Sequence, residues 1–305
     1  MMTESQILDG LIIKAQSGLF DVETSDGIFT CRLRGRLTQG RREGDAAAIG
    51  DRVSVQLLED GSGIIEEIHE RERVLSRQAP GRPDLEQVLV ANPDQALFVF
   101  ACADPDPNFR MLDRFLVVAE RESIPAVIIA NKVDLVVPRS AKEEFGLYER
   151  LGYPVHFTSA VSGKGIRGLR RQLKGKISVL AGPSGVGKTS LLNRVQPGLG
   201  LRTREFSQAT GRGRHTTVAP KLIELDFGGY VADTPGLKAL ALWDIEPEEL
   251  DAYFPELREL VAECDFSDCT HIHEPGCAVI AAVEEGRVSP ERYDSYLRMR
   301  SGEGD

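Results

Sequence analysis

A chain of 305 residues with 47 acids against 37 bases, a formal charge of −10 and 41% hydrophobic residues has the make-up of a globular protein of about two domains, neither collagenous nor wholly disordered. No apolar run approaches the roughly 20 residues that span a bilayer, and the opening MMTESQILDGLIIK lacks the basic start and long apolar core of a secretory signal, so a cytoplasmic protein with no membrane partner is expected. The five cysteines are an odd number, and only Cys264, Cys269 and Cys277 crowd together, which argues against a disulfide framework and for a metal site.

Residues 1–75 hold short alternating runs punctuated by Gly and Asp (GLIIKAQ, GLFDVET, GIFTCRLRG, GDRVSVQLLED, GSGIIEEIHER), the period-two pattern of a small β-barrel. Arg32, Arg34, Arg36, Arg41 and Arg42 fall there in one stretch without an acid. In a strand the first three project from one face, a candidate grip for a phosphate backbone. The Pro, Gly and charge mixture over residues 76–87 predicts a linker. From 88 to 243 apolar runs alternate with helical patterns, as in an α/β domain with a buried, mostly parallel sheet. Residues 244–305 turn acidic and helical and contain the cysteine cluster. Cys31 and Cys102 sit inside predicted strands, as buried small hydrophobes.

The strongest local signal is Gly182-Pro183-Ser184-Gly185-Val186-Gly187-Lys188-Thr189, with Ser190 following, between a predicted strand (KISVLA) and a predicted helix (SLLNRV). Its glycines let backbone N–H groups curl around phosphates, Lys188 supplies a cation for the β and γ groups, and the Thr189 hydroxyl ligates Mg²⁺. Base identity comes from Asn131-Lys132-Val133-Asp134 after the apolar run AVIIA. A carboxylate such as Asp134 accepts from both N1–H and N2–H₂ of guanine, and adenine has no such pair of donors on that edge, so GTP and GDP are expected and an ATP-dependent kinase is disfavoured. Thr158-Ser159-Ala160 fits the second guanine contact, in which a backbone N–H beside a small residue reaches the base oxygen. Asp233-Thr234-Pro235-Gly236 after GYVA places a carboxylate where it holds Mg²⁺ through water and the Gly236 N–H where it touches the γ-phosphate. Between them, Gly211-Arg212-Gly213-Arg214-His215-Thr216-Thr217 has the composition of a mobile loop; Thr217 is the preferred third Mg²⁺ ligand and Thr216 the alternative.

These elements resemble those of regulatory GTPases in a different order: NKVD and TSA precede the P-loop and DTPG comes last, a circular permutation. The segment after Gly236 therefore leads directly into the C-terminal region. The combination of N-terminal barrel, permuted order, GRGRHTT, DTPG and C-terminal cysteines resembles the ribosome small-subunit-dependent GTPase A family (RsgA, also called YjeQ or EngC) over nearly the whole chain. The resemblance implies an OB-fold barrel, a permuted GTPase domain and a helical zinc domain. It also implies late maturation of the 30S subunit, with 16S rRNA as partner and GTP state governing binding and release.

The cluster runs Cys264-x₄-Cys269-x-His271-x₅-Cys277. Three thiolates and an imidazole suit one closed, structural Zn²⁺ ion; His273 competes with His271 as nitrogen ligand, and the resemblance favours His271. The position after Gly236, where many GTPases carry a water-orienting glutamine, is Leu237, whose apolar side chain cannot do that work. His215 is the nearest polar candidate, as a catalytic residue beside Lys188, Thr216, Thr217 and Gly236 or as a contact to RNA phosphate. Arg212 and Arg214 in the same loop are further RNA candidates. With barrel and zinc domain reserved for RNA, a monomer is expected.

Overall fold

The structure, a computed structural model, describes residues 7–38, 47–79, 82–201, 219–233 and 245–302. Strands β1 (Ile7–Gln16), β2 (Leu19–Thr24), β3 (Gly27–Leu33), β4 (Arg52–Leu57) and β5 (Gly63–Ile68) form the expected barrel. Its order is β1-β2-β3-β5-β4 and back to β1, the closed five-stranded arrangement of an OB-fold. Ten-residue β1 serves both ends of the circle: Ile7 to Leu11 pair with β4 and Gly10 to Gln16 with β2, and a register shift between Ile12 and Lys14 bends the strand. Alternation turns Ile12, Phe20, Val22, Cys31, Val53, Val55 and Ile65 inward. Cys31 is buried there as expected, and burial, with Asp21 nearby, pushes its thiol up to about 11.

The arginine face differs from expectation. β3 ends at Leu33, and Arg36 belongs to a one-turn helix, α1 (Gly35–Thr38), so Arg32, Arg34 and Arg36 do not share a strand face. The sheet also supplies the acid that the local sequence lacks. Glu66 on the neighbouring β5 takes the Arg34 Nε at 2.7 Å, and its carbonyl accepts from Arg36 at 2.9 Å. Arg32 is exposed, while Arg41 and Arg42 lie outside the described residues. The stretch expected as a linker, 76–87, is largely strand: β6 (Val74–Ala79) and β7 (Arg82–Ala91) pair as an antiparallel two-stranded sheet.

Beyond it, β8 (Gln95–Ala101), α2 (Phe109–Arg121), β9 (Ala126–Asn131), α3 (Pro138–Arg150), β10 (Val155–Phe157), α4 (Ile166–Leu173), β11 (Ile177–Ala181), α5 (Lys188–Val195), β12 (Lys221–Glu224) and β13 (Tyr230–Asp233) build the α/β domain. The order is β10-β9-β8-β11-β13-β12, with the first five parallel and β12 antiparallel. Successive residues of β8 and β9 face opposite sides: Phe98, Phe100, Ile128 and Ala130 pack with Phe115 of α2 and Phe145 of α3, while Leu97, Val99, Val127 and Ile129 pack with Leu169 of α4 and Leu191 of α5. Helices therefore cover both faces, which is why these strands are apolar throughout. The barrel joins this sheet at its edge, where Lys14 of β1 pairs with Lys221 of β12 and the Ala15 amide donates to Pro220 at 3.2 Å.

The C-terminal region has short elements: 3-10 turns at Pro247–Tyr253 and Val261–Glu263, then α6 (Pro255–Arg258), α7 (Ala278–Glu284) and α8 (Pro290–Arg300). Leu250, Phe254, Leu257, Cys277, Val279, Ala282 and Tyr296 form its core, which reaches across to Val117 of α2. Arg292, 1% exposed, locks this contact: Nη1 donates to Asp113 of α2 at 2.7 Å and Nε to Glu256 of α6 at 2.6 Å, while Tyr148 of α3 donates to the same Asp113 at 2.8 Å. Among the described residues no helix is long and apolar enough to cross a membrane.

Candidate functional site

Every described motif of the candidate nucleotide site stands at the C-terminal edge of the parallel strands, where an open α/β sheet leaves its crevice. NKVD begins on the last residue of β9, TSA follows β10, the P-loop follows β11, and Asp233 closes β13. The permutation changes only which loops connect these strands.

Backbone geometry shapes the P-loop. Gly182 has φ 142°, and a Cβ there would stand 2.1 Å from the Val99 carbonyl oxygen, so only glycine lets the turn pass this close to β8. Gly187 precedes α5 at φ 94°, and its Cβ would meet the Asn131 side-chain nitrogen at 2.6 Å. Ser184, Gly185 and Ser190 are exposed along the loop, Val186 and Thr189 are buried, and Pro183 is half-buried. The Lys188 ammonium donates to the carbonyls of Gly182 and Pro183 at 2.6 and 2.7 Å, which holds it over the loop. Backbone N–H groups at the start of α5 together with this cation make an anion cradle.

Asn131, expected among the GTP-binding residues, also joins the motifs to one another. Fully buried, it donates through Nδ2 to the Val186 carbonyl at 2.7 Å and accepts at Oδ1 from the Thr158 hydroxyl at 3.1 Å. One amide thus ties three loops together. A buried amide holding two partners fixes their separation, because loss of either leaves a polar group unpaired in a dry site. Lys132, at φ 61°, turns to the Asp104 carbonyl, and Pro105 next to it lies 3.6 Å from a Cβ built on Gly185, so the loop after β8 flanks the P-loop. Val133 is buried, its amide donating to Thr158, and Asp134 is exposed. Ser159 is buried and its amide donates to Lys164 at 3.0 Å, while Ala160 is half-buried. Asp233 faces Lys221 across the β12–β13 pair at 3.9 Å. Arg212, Arg214, His215, Thr216, Thr217, Gly236 and Leu237 lie outside the described residues.

A second centre gathers Cys264, Cys269, His271 and Cys277, whose donor atoms all lie within 4.8 Å of one another. His271 Nδ1 is 3.4 Å from Cys277 Sγ and 3.6 Å from Cys264 Sγ, and those two sulfurs are 4.0 Å apart. A tetrahedral ion at ~2.3 Å from sulfur and ~2.0 Å from nitrogen needs donor separations of roughly 3.5 to 3.8 Å, close enough to those observed that the four residues could close around a metal ion. Buried His271 stands among the four donors, and His273 is exposed and outside them. With Nδ1 toward the sulfurs, His271 Nε2 faces Asp251 Oδ2 at 3.1 Å, and that hydrogen bond, against the cost of burial, holds the Asp251 carboxyl below its ordinary value. A carboxylate so placed would orient the imidazole and strengthen it as a donor to a metal ion. Glu274 accepts from the amides of Thr270, Ile272 and His273 at 3.0 to 3.1 Å and fixes the turn around His271. Sequence reasoning missed Asp251 and Asp104. Neither stands in a motif, and Asp251 is 20 positions from the imidazole it serves.

The comparisons agree with this geometry. A family model described as RsgA GTPase matches residues 68–243, and one described as RsgA N-terminal domain matches 9–65. Two relatives named small ribosomal subunit biogenesis GTPase RsgA, from Gemmatimonas aurantiaca and Moorella thermoacetica, are 46% and 44% identical; each match covers 95% of this chain, and 96% and 95% of the relatives. Among solved structures, YjeQ from Thermotoga maritima superimposes with a TM-score of 0.81 at 39% identity, over 98% of this chain and 99% of that one. YloQ, described as a circularly permuted GTPase, gives 0.78 at 33%, over 99% and 97%.

Proposed function

The chain belongs to the RsgA GTPase family, and on that premise we propose that it is a GTP-hydrolysing factor of late 30S ribosomal-subunit maturation in the cytoplasm, acting as a monomer on 16S rRNA. The observation that carries this reading is the gathering of NKVD, TSA and the P-loop through Asn131 at one sheet edge, in a chain 46% identical to a relative named for small-subunit biogenesis.

In this reading the N–H groups of Gly182 to Ser190 and the Lys188 ammonium bind the phosphates, and Asp134 and Lys132 read guanine with the backbone beside Ser159 and Ala160. Asn131 positions these groups. Thr189, Asp233 and Thr217, or Thr216 in its place, present the oxygen donors that suit Mg²⁺, which when bound would offset negative charge on the β and γ phosphates. The Gly236 N–H meets the γ-phosphate. Leu237 cannot orient water, so His215 does so once docking on the small subunit brings it to the nucleotide, and basal hydrolysis is slow. The Cys264, Cys269, His271 and Cys277 centre holds one structural Zn²⁺, with no open position for chemistry. Arg32, Arg34, Arg36, Arg41, Arg42, Arg212 and Arg214 are the RNA contacts this reading carries.

Sedimentation with 30S subunits tests it. The protein should co-sediment with a non-hydrolysable GTP analogue and dissociate with GDP, and His215→Ala should remain bound after GTP is added. Equal binding in both nucleotide states would contradict control of release by GTP.

A further inference from the structure

From Arg150 to Arg204 the sequence has no Asp or Glu, whereas the whole chain has 47 acids against 37 bases. Within that span stand Lys164, Arg167, Arg170, Arg171, Lys174 and Arg194. The fold places them on one side of the sheet, because α4 and α5 share one face while α2 and α3, with Glu120, Glu143, Glu144 and Glu149, cover the other.

On α4, Leu169 and Leu173 are buried against the sheet. Arg167 and Arg171, four apart, therefore stand on the opposite side of the helix, Lys174 caps its C-terminal end, and all three are exposed. They rise one turn at a time, ~5 Å apart along the axis. Among the described residues none of the three makes an ion pair. Arg170, between them, differs: it donates to Asp226 at 3.3 Å and stacks over the Phe227 ring at 4.3 Å. Asp226 is thus paired with the arginine that ties α4 down. Exposed Arg194 of α5 extends the stripe, its guanidinium 3.1 Å from a Cβ built on Gly163, next to exposed Lys164.

We propose that Arg167, Arg171 and Lys174, flanked by Lys164 and Arg194, form a docking surface for the phosphate backbone of RNA, separate from the barrel arginines. A row of cations with no exposed aromatic among the described residues around it matches a repeating charge rather than a base edge, so the contact is with backbone and independent of sequence. The surface is joined to the nucleotide site from two sides. The Ser159 amide donates to the Lys164 carbonyl at 3.0 Å and the Gly163 amide to the Ser159 carbonyl at 2.9 Å, immediately before α4, and Arg194 rides on the helix that begins with Lys188. RNA held on α4 therefore bears on the loop assigned to guanine. The identity of that RNA as small-subunit rRNA rests on the proposed function; the phosphate-binding surface does not.

The test uses full-length protein carrying Arg167→Gln, Arg171→Gln and Lys174→Gln together, with Arg139→Gln, Lys142→Gln and Arg150→Gln on α3 as a charge-matched control. Binding to 30S subunits and to naked 16S rRNA is measured across a salt series. The α4 variant should bind both RNAs at least tenfold more weakly at ~100 mM salt and flatten the log–log salt slope by about two to three, as three lost phosphate contacts require. GTP affinity and basal hydrolysis should not change, and the α3 variant should bind like the parent. An effect on naked rRNA alone supports the surface and removes the small-subunit assignment. Parental binding and slope in the α4 variant overturn the proposal. So does weaker 30S binding with an unchanged slope and unchanged naked-rRNA binding, which would mark a ribosomal protein as the occupant.

Discussion

The sheet edge that holds the nucleotide loops and the C-terminal region that holds the cysteines fix their side chains by different means. At the sheet edge, strands β8, β9 and β11 are buried along their whole lengths, so each loop leaves a rigid stem and needs few contacts of its own. The C-terminal region has helices of four, seven and eleven residues, and Cys277 is part of its core. There three of the four candidate metal donors, Cys264, Cys269 and Cys277, are also part of the packing, so loss of one affects both. The lesson is that a site built on strands should lose function before fold, and a site built on a metal should lose fold first.

The largest expected effect follows from that contrast. Cys269→Ser, or chelation of the parent, should abolish metal retention and expose residues 245–302 to proteolysis, because a structural zinc contributes on the order of 10 kcal/mol to folding such a region. GTP affinity should stay within a few-fold. A variant that keeps its metal and its protease resistance would break the comparison. Next comes Arg292→Met, which leaves Asp113 and Glu256 buried without their cation and should cost ~3–5 kcal/mol, read as a lowered thermal midpoint. Replacing Asp113 and Glu256 by leucine in the same chain should recover much of it.

On the sheet edge the effects should be functional. Asp134→Asn removes a charged acceptor from two guanine donors; at ~1.5–3 kcal/mol each, GTP should bind more than a hundredfold more weakly while xanthosine triphosphate gains. Unchanged guanine preference would mean that another group reads the base. Asn131→Ala should cost ~1–3 kcal/mol of nucleotide affinity, without loss of preference for guanine over xanthine, because it loosens the P-loop and leaves the reader in place. A lost preference would mean that Asn131 contacts the base as well.

The smallest effect concerns the cysteines outside the cluster. Burial, with Glu144 nearby, pushes the Cys102 thiol up to about 11, as burial does for Cys31. The folded state keeps these protons where the unfolded chain, with a thiol near ~8.5, gives them up. Their contribution to stability is full below that value and lost as pH rises toward 11. At pH 8 iodoacetamide should leave both unmodified in the folded protein, and labelling without unfolding would contradict their burial.

The P-loop, NKVD and the cysteine spacing were legible because each packs its chemistry into a few adjacent residues, and the permutation was legible as their order. What escaped was non-local. No local pattern marks Glu66, which β3–β5 pairing delivers to Arg34 and Arg36, or Asp113, which stands 179 positions from Arg292. The β6–β7 pair escaped because Pro80, Gly81 and Pro83 carry turn chemistry, although the flanking residues pair as strands. Asn131 was legible as a site residue but its tie to the P-loop was not, since the Val186 carbonyl it binds belongs to a loop 55 positions away.

A GTPase that the small subunit switches on is tested most directly by GTP hydrolysis of the purified protein over a titration of 30S subunits, with 50S subunits and naked 16S rRNA as controls. Strong, saturable stimulation by 30S subunits alone, lost in His215→Ala, is the predicted result. Equal rates with and without 30S subunits would contradict it.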